Sequence, residues 1–80
     1  MERREIAQRV KKVIGRVLKM DPVVIGDEDN FVFDLGADSM QSVQLVAAFE
    51  EEFDIEMAED QALQVQTVSG AVDFVASYLK

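Results

Sequence analysis

Eighty residues, 49% of them apolar, carry a formal net charge of −8 and include neither cysteine nor histidine. A chain of that length and composition makes one domain around one modest core and is not disordered throughout. The two missing residue types exclude disulfides, zinc sites built on thiolate or imidazole, Cys–His nucleophile pairs and Ser-His-Asp triads, which argues against an ordinary hydrolase before any motif is considered.

The charge is unevenly placed. Met1 to Lys19 holds seven basic and two acidic residues (+5), whereas Met20 to Lys80 holds one basic residue and fourteen acidic ones (−13). The acidic part repels nucleic acid and favours partners with basic surfaces, although the same charges would also serve simply to solvate a small domain. No apolar run approaches the ~20 residues of a membrane-spanning helix. Met1-Glu2-Arg3-Arg4 is followed by no signal-peptide core, so a cytoplasmic protein is expected.

In chain order, the first element is a helix from about Glu2 to Met20. Ile6, Val10, Val13, Ile14, Val17 and Leu18 form one apolar stripe, with Arg3, Arg4, Arg9, Lys11, Lys12, Arg16 and Lys19 on the other faces. Gly15 inside this helix is expected to cost about 1 kcal/mol relative to alanine. The helix ends before Asp21-Pro22, since proline restricts the residue ahead of it. A basic amphipathic helix can lie on a membrane; the simpler expectation is a core-packed helix with a solvated basic face.

Asp21 to Leu35 is irregular. Val23-Val24-Ile25 is too brief for a strand, and Gly26 with Asp27-Glu28-Asp29-Asn30 marks a turn. An EF-hand calcium loop starting at Asp27 would need glycine at its sixth position and glutamate at its twelfth; Val32 and Asp38 stand there, so that reading fails. Phe31, Leu35 and one of Val32 or Phe33 are expected to pin this long loop to the core.

A second helix is predicted from Asp38 to near Phe53. Asp38 suits the N-cap and Gln41 the third helical position, a capping-box pattern that puts Ser39 at the first helical residue. At about 100° per residue, Ser42, Leu45, Val46, Phe49 and Phe53 share the core face. Met40, Val43, Gln44, Ala47 and Glu51 fall opposite, with Glu50 at the margin. An exposed apolar pair, Met40 and Val43, edged with carboxylates suits a docking surface unless the preceding loop covers it. Glu59 to Val65 suggests a turn or two of helix. Thr67 then caps a last helix over Val68 to Leu79, with Val68, Ala71, Val72, Val75 and Leu79 as its stripe. The expected architecture is an all-α, small four-helix bundle, three longer helices plus one short helix, with a long loop between the first two and residues 1–80 in a single domain.

Ser39 is the one side chain that a glycine turn delivers to a helix start. It lacks a base: no histidine exists, and Lys11, Lys12, Lys19 and Lys80 fall on solvated faces or at the terminus. It can, however, be modified, because a phosphate ester there would meet free N–H groups and the positive end of the helix dipole. An incidental polar residue fits the same physics equally well.

Leu35-Gly36-Ala37-Asp38-Ser39-Met40, followed by Val43, Leu45-Val46 and Phe49-Glu50-Glu51-Glu52-Phe53, resembles the attachment motif and recognition helix of acyl carrier proteins. The similarity extends over the first helix, the long loop, Thr67-Val68 and Tyr78-Leu79. It implies 4′-phosphopantetheine, derived from coenzyme A, on Ser39, with Gly36 and Asp38 completing the cofactor-binding motif. It implies no catalytic residue and no metal. A phosphopantetheinyl transferase would add the arm, and its thiol would hold acyl thioesters for acyl-loading, elongating and acyl-transfer enzymes of fatty acid or specialised lipid biosynthesis. It further implies that an acyl chain can shelter between the helices, and that partners read Met40, Gln41, Val43, Gln44, Ala47, Glu50 and Glu51 beside Asp38. A monomer is expected, with no stable membrane insertion.

Several positions depart from the common fatty-acid carrier pattern. Gln41 and Gln44 stand where carboxylates are usual, Phe33 where an acidic residue is common, Ala58 where proline is frequent, and Met40 where leucine is usual. These departures bear on the pathway and leave a polyketide or nonribosomal-type carrier open. Two other classes remain: a helix-groove interaction module anchored by Met40 and Val43, and a membrane-surface protein acting through its basic first helix.

Overall fold

A computed structural model describes residues 1–79; Lys80, expected at a solvated terminus, lies outside the described residues. Helix α1 (Arg3–Leu18) forms where its apolar stripe demands, burying Ile6, Val10, Val13 and Ile14. It lies against both α2 (Ser39–Phe53) and α4 (Val68–Tyr78), and the one-turn helix α3 (Glu59–Ala62) links the latter two. The bundle is therefore all-α, with three longer helices, one short one and a long connection between the first two.

The end of α1 explains its glycine. Lys19 adopts a left-handed conformation (φ 58°) and the Met20 N–H returns to the Gly15 carbonyl at 2.9 Å. A methyl group on Gly15 would sit 2.6 Å from the Met20 carbonyl oxygen and 3.1 Å from Pro22 Cγ. The helix-propensity expectation thus has the wrong sign here: glycine is required by the close approach, and alanine would displace backbone.

Arg9 is a second correction. It does not belong to a solvated face: half-buried, it donates to Glu52 Oε2 at 2.7 Å and to the Glu52 carbonyl at 2.7 Å, and its guanidinium lies 4.8 Å from the Phe53 ring centroid. One of the carbonyls left unpaired at the end of α2 is satisfied in this way. Lys11 pairs with Asp27 at 2.7 Å, and Arg3 pairs with Asp73. Arg3, Arg9 and Lys11 of the basic first helix therefore bind acidic residues from the remainder of the chain.

Between α1 and α2, Pro22–Val24 make one 3₁₀ turn capped by the Asp21 carboxylate. Residues 31–35 then form a helical turn. Asn30 Oδ1 accepts from the N–H groups of Val32 and Phe33 at 2.9 and 3.0 Å, and Asp34 Oδ2 accepts from the Asn30 N–H at 2.7 Å. Phe31 is buried and Leu35 half-buried, as expected for residues four apart on one side of a turn. Neither Val32 nor Phe33 pins the loop, because that same turn points them outward, 55% and 87% exposed. Ile25 and Ala37, both 3% exposed, are the additional anchors.

The loop is also stitched to α4. Phe31 N–H donates to the Gln66 carbonyl at 2.9 Å, while Val68 and Ser69 donate to the carbonyls of Asp29 and Asp27 at 3.0 and 2.8 Å. Thr67 caps the helix as predicted, its Oγ1 accepting from Gly70 N–H at 3.1 Å. Val68, Ala71, Val72 and Val75 are buried and Leu79 half-buried. Near the other end of α4, Tyr78 accepts from Ala58 N–H at 3.2 Å and meets Phe74 edge-on, holding the start of α3.

Candidate functional site

Gly36 sets the entry to α2. Its φ of +74° is left-handed, and a side chain there would meet nothing within 4 Å, so the requirement for glycine is conformational and not steric. Ala37 follows, buried, its N–H bonded to the Phe31 carbonyl at 2.8 Å. The chain then leaves the core at Asp38. There the expected capping box is complete: Asp38 Oδ1 accepts from Gln41 N–H at 2.8 Å and Gln41 Oε1 accepts from Asp38 N–H at 3.1 Å.

Ser39 is the first residue of α2 and is exposed. Among the described residues its Oγ takes part in no hydrogen bond, and the N–H groups of Ser39 and Met40 have no partner. A hydroxyl with no histidine to activate it thus stands at the positive end of a helix beside two unused donors, an arrangement suited to a phosphate ester. One turn further, Ser42 donates to the Asp38 carbonyl at 3.0 Å and lines an apolar cavity of about 260 Å³. Leu45, Val46 and Phe49 of α2 wall this cavity together with Met57, Ala62 and Val75.

On the outer side of α2, Met40 (72% exposed), Val43 (46%), Gln44, Ala47 and Glu51 form one continuous exposed face, uncovered by the preceding loop. Gln41 and Glu50 stand apart from it. The Gln41 side chain is held in the capping box, and Glu50 Oε2 accepts from Met57 N–H at 2.8 Å, so both are half-buried at the margins. Sequence reasoning missed the Glu50 bond, which joins residues seven apart across a turn and leaves no local pattern. It also missed Asn30, although an asparagine ahead of a turn is a recognisable signal. The acidic cluster 27–29 is engaged internally through Lys11 and Gly26 N–H. Among the described residues no three acidic side chains gather as metal ligands.

A protein-family model described as phosphopantetheine attachment site matches residues 8–75. The chain is also 48% identical over 71 residues to an acyl carrier protein of Caulobacter vibrioides, which covers 89% of this chain and 91% of that protein. It is 45% identical over 75 residues to an acyl carrier protein of Phenylobacterium zucineum, covering 94% and 95%. The chain belongs to the acyl carrier protein family. It is by that membership a carrier and not an enzyme, and its fold is the small helical bundle described above. The start of α2 lies well inside the matched region, and the free hydroxyl and amides there fit a covalently held phosphodiester.

Proposed function

We propose that Ser39 carries 4′-phosphopantetheine and that the chain delivers acyl groups, held on that arm as thioesters, to enzymes of fatty acid or specialised lipid biosynthesis. One observation supports this above the rest: an unbonded, exposed Oγ at the first residue of α2, with two free amides beside it and an apolar cavity one turn away. In the attachment step the Oγ–P bond forms and the P–O bond to the nucleotide half of coenzyme A breaks. The serine proton passes to a base on the transferase, since this chain has no histidine to receive it. The bound arm supplies the thiol that a cysteine-free chain lacks.

The other residues have structural or recognition roles. Gly36 and Asp38 present Ser39, and the cavity excludes water from the cargo. Met40, Val43, Gln44, Ala47 and Glu51 form the face offered to partners, with Gln41 and Glu50 at its edges. The transferase and the acyl-processing enzymes meet this acidic chain through basic surfaces. In this reading the carrier works in the cytoplasm as a monomer. Among the described residues, no helix is long and apolar enough to cross a membrane.

Incubation with coenzyme A and a phosphopantetheinyl transferase is expected to add one phosphopantetheine mass to the parent chain and none to Ser39→Ala. An unchanged parent mass, with the transferase active on a control carrier, would refute the proposal.

A further inference from the structure

Phe33 combines two properties that rarely meet. It lines the cavity, yet it is 87% exposed, so it stands where the cavity opens to solvent. Val32 (55%) and Leu63 (42%) share that position, the first from the long loop and the second from the end of α3. Exposure of a phenylalanine forgoes the burial that normally stabilises it. Here the backbone leaves it no retreat. The N–H groups of Val32 and Phe33 are fixed on Asn30 Oδ1, the turn is closed by Asp34, and the left-handed Gly36 ends it. The backbone that carries the ring at the opening is thus fixed by these bonds.

The cavity lining indicates the occupant. Its walls are mostly apolar, and two of its polar groups, Asn30 Oδ1 and Ser42 Oγ, are already hydrogen-bonded within the chain. An apolar cavity of about 150 Å³ takes up one benzene ring, so about 260 Å³ holds roughly ten carbon atoms. Ser42, one turn from the attachment point, lines the same cavity.

We infer that Phe33, with Val32 and Leu63, is an apolar lip that covers the part of an alkyl chain lying beyond the cavity, making this a carrier suited to long, unfunctionalised acyl groups. The inference rests on the attachment of the arm at Ser39. It names the cargo class: regular keto or hydroxyl groups inside the cavity would meet mostly apolar walls, with Asn30 Oδ1 and Ser42 Oγ already engaged within the chain, whereas methylenes gain burial there and against the lip.

The test is a chain-length series. Parent and Phe33→Ser are loaded enzymatically from acyl-coenzyme A donors of four to sixteen carbons, loading is verified by intact mass, and Tm is measured for each product. Each newly buried methylene moves the Tm of a domain this small by degrees. Both proteins are expected to gain Tm with length up to about ten carbons. Beyond that, the parent continues to gain and Phe33→Ser reaches a plateau. Leu63→Ser shows the same plateau, and Val24→Ser, exposed but absent from the cavity lining, follows the parent. Coincident curves for parent and Phe33→Ser would overturn the lip, as would a loss equal at every length. No gain of mass with any donor would instead overturn the attachment at Ser39, and this inference with it.

Discussion

Two helix starts in this small bundle are built from the same materials and finished differently. At α4, each of the first three amides has a partner: Val68 and Ser69 donate to loop carbonyls and Gly70 to the cap residue Thr67. At α2, only the third amide, that of Gln41, is satisfied, by Asp38; the amides of Ser39 and Met40 have no partner among the described residues. Both helices have a side-chain cap, so capping alone does not distinguish them. The difference lies in the long loop, which folds over one start and, through the left-handed Gly36, swings clear of the other. A closed start is architecture. An open one, with a serine on it, is in the proposed function the place for a group the chain does not itself contain.

The comparison can be tested at both ends. The largest stability effect is expected at the residue that opens the site. Gly36→Ala forces an L-side chain into a left-handed backbone and should cost about 1–2 kcal/mol by denaturant unfolding. It should also slow transferase labelling, because a relaxed turn no longer presents Ser39. A smaller and more discriminating effect comes from the two caps. Asp38→Ala and Thr67→Ala should each cost about 1 kcal/mol, yet only Asp38→Ala should reduce the labelling rate. Equal labelling of the two variants would mean that the geometry of the α2 start plays no part in recognition.

Much of this was legible in the sequence, and the reason is local chemistry. Apolar spacing located α1, α2 and α4 to within a residue or two, and Asp38, Gln41 and Thr67 declared their caps because capping joins residues three apart. The capping of the candidate site was legible for the same reason, since the Asp38–Gln41 pair is decided within one helical turn. What escaped is long-range or depends on phase. Arg9 finds Glu52 across 43 positions of chain, and nothing near Arg9 distinguishes it from its solvated neighbours. The expectation that Val32 or Phe33 pins the loop fails because an irregular loop gives no phase; once Asn30 is recognised as capping a helical turn, Phe31 and Leu35 must face in and Val32 and Phe33 out. Gly15 was judged by helix propensity, whereas the deciding fact is the carbonyl of Met20 folding back upon it.

The central claim is that the open start of α2 holds the prosthetic group, and it is tested most directly on the protein purified from its own host. Intact mass followed by fragmentation should place a phosphopantetheine adduct, bare or acylated, on Ser39. An unmodified chain, or an adduct on Ser42, Ser69 or Ser77 instead, would contradict the account.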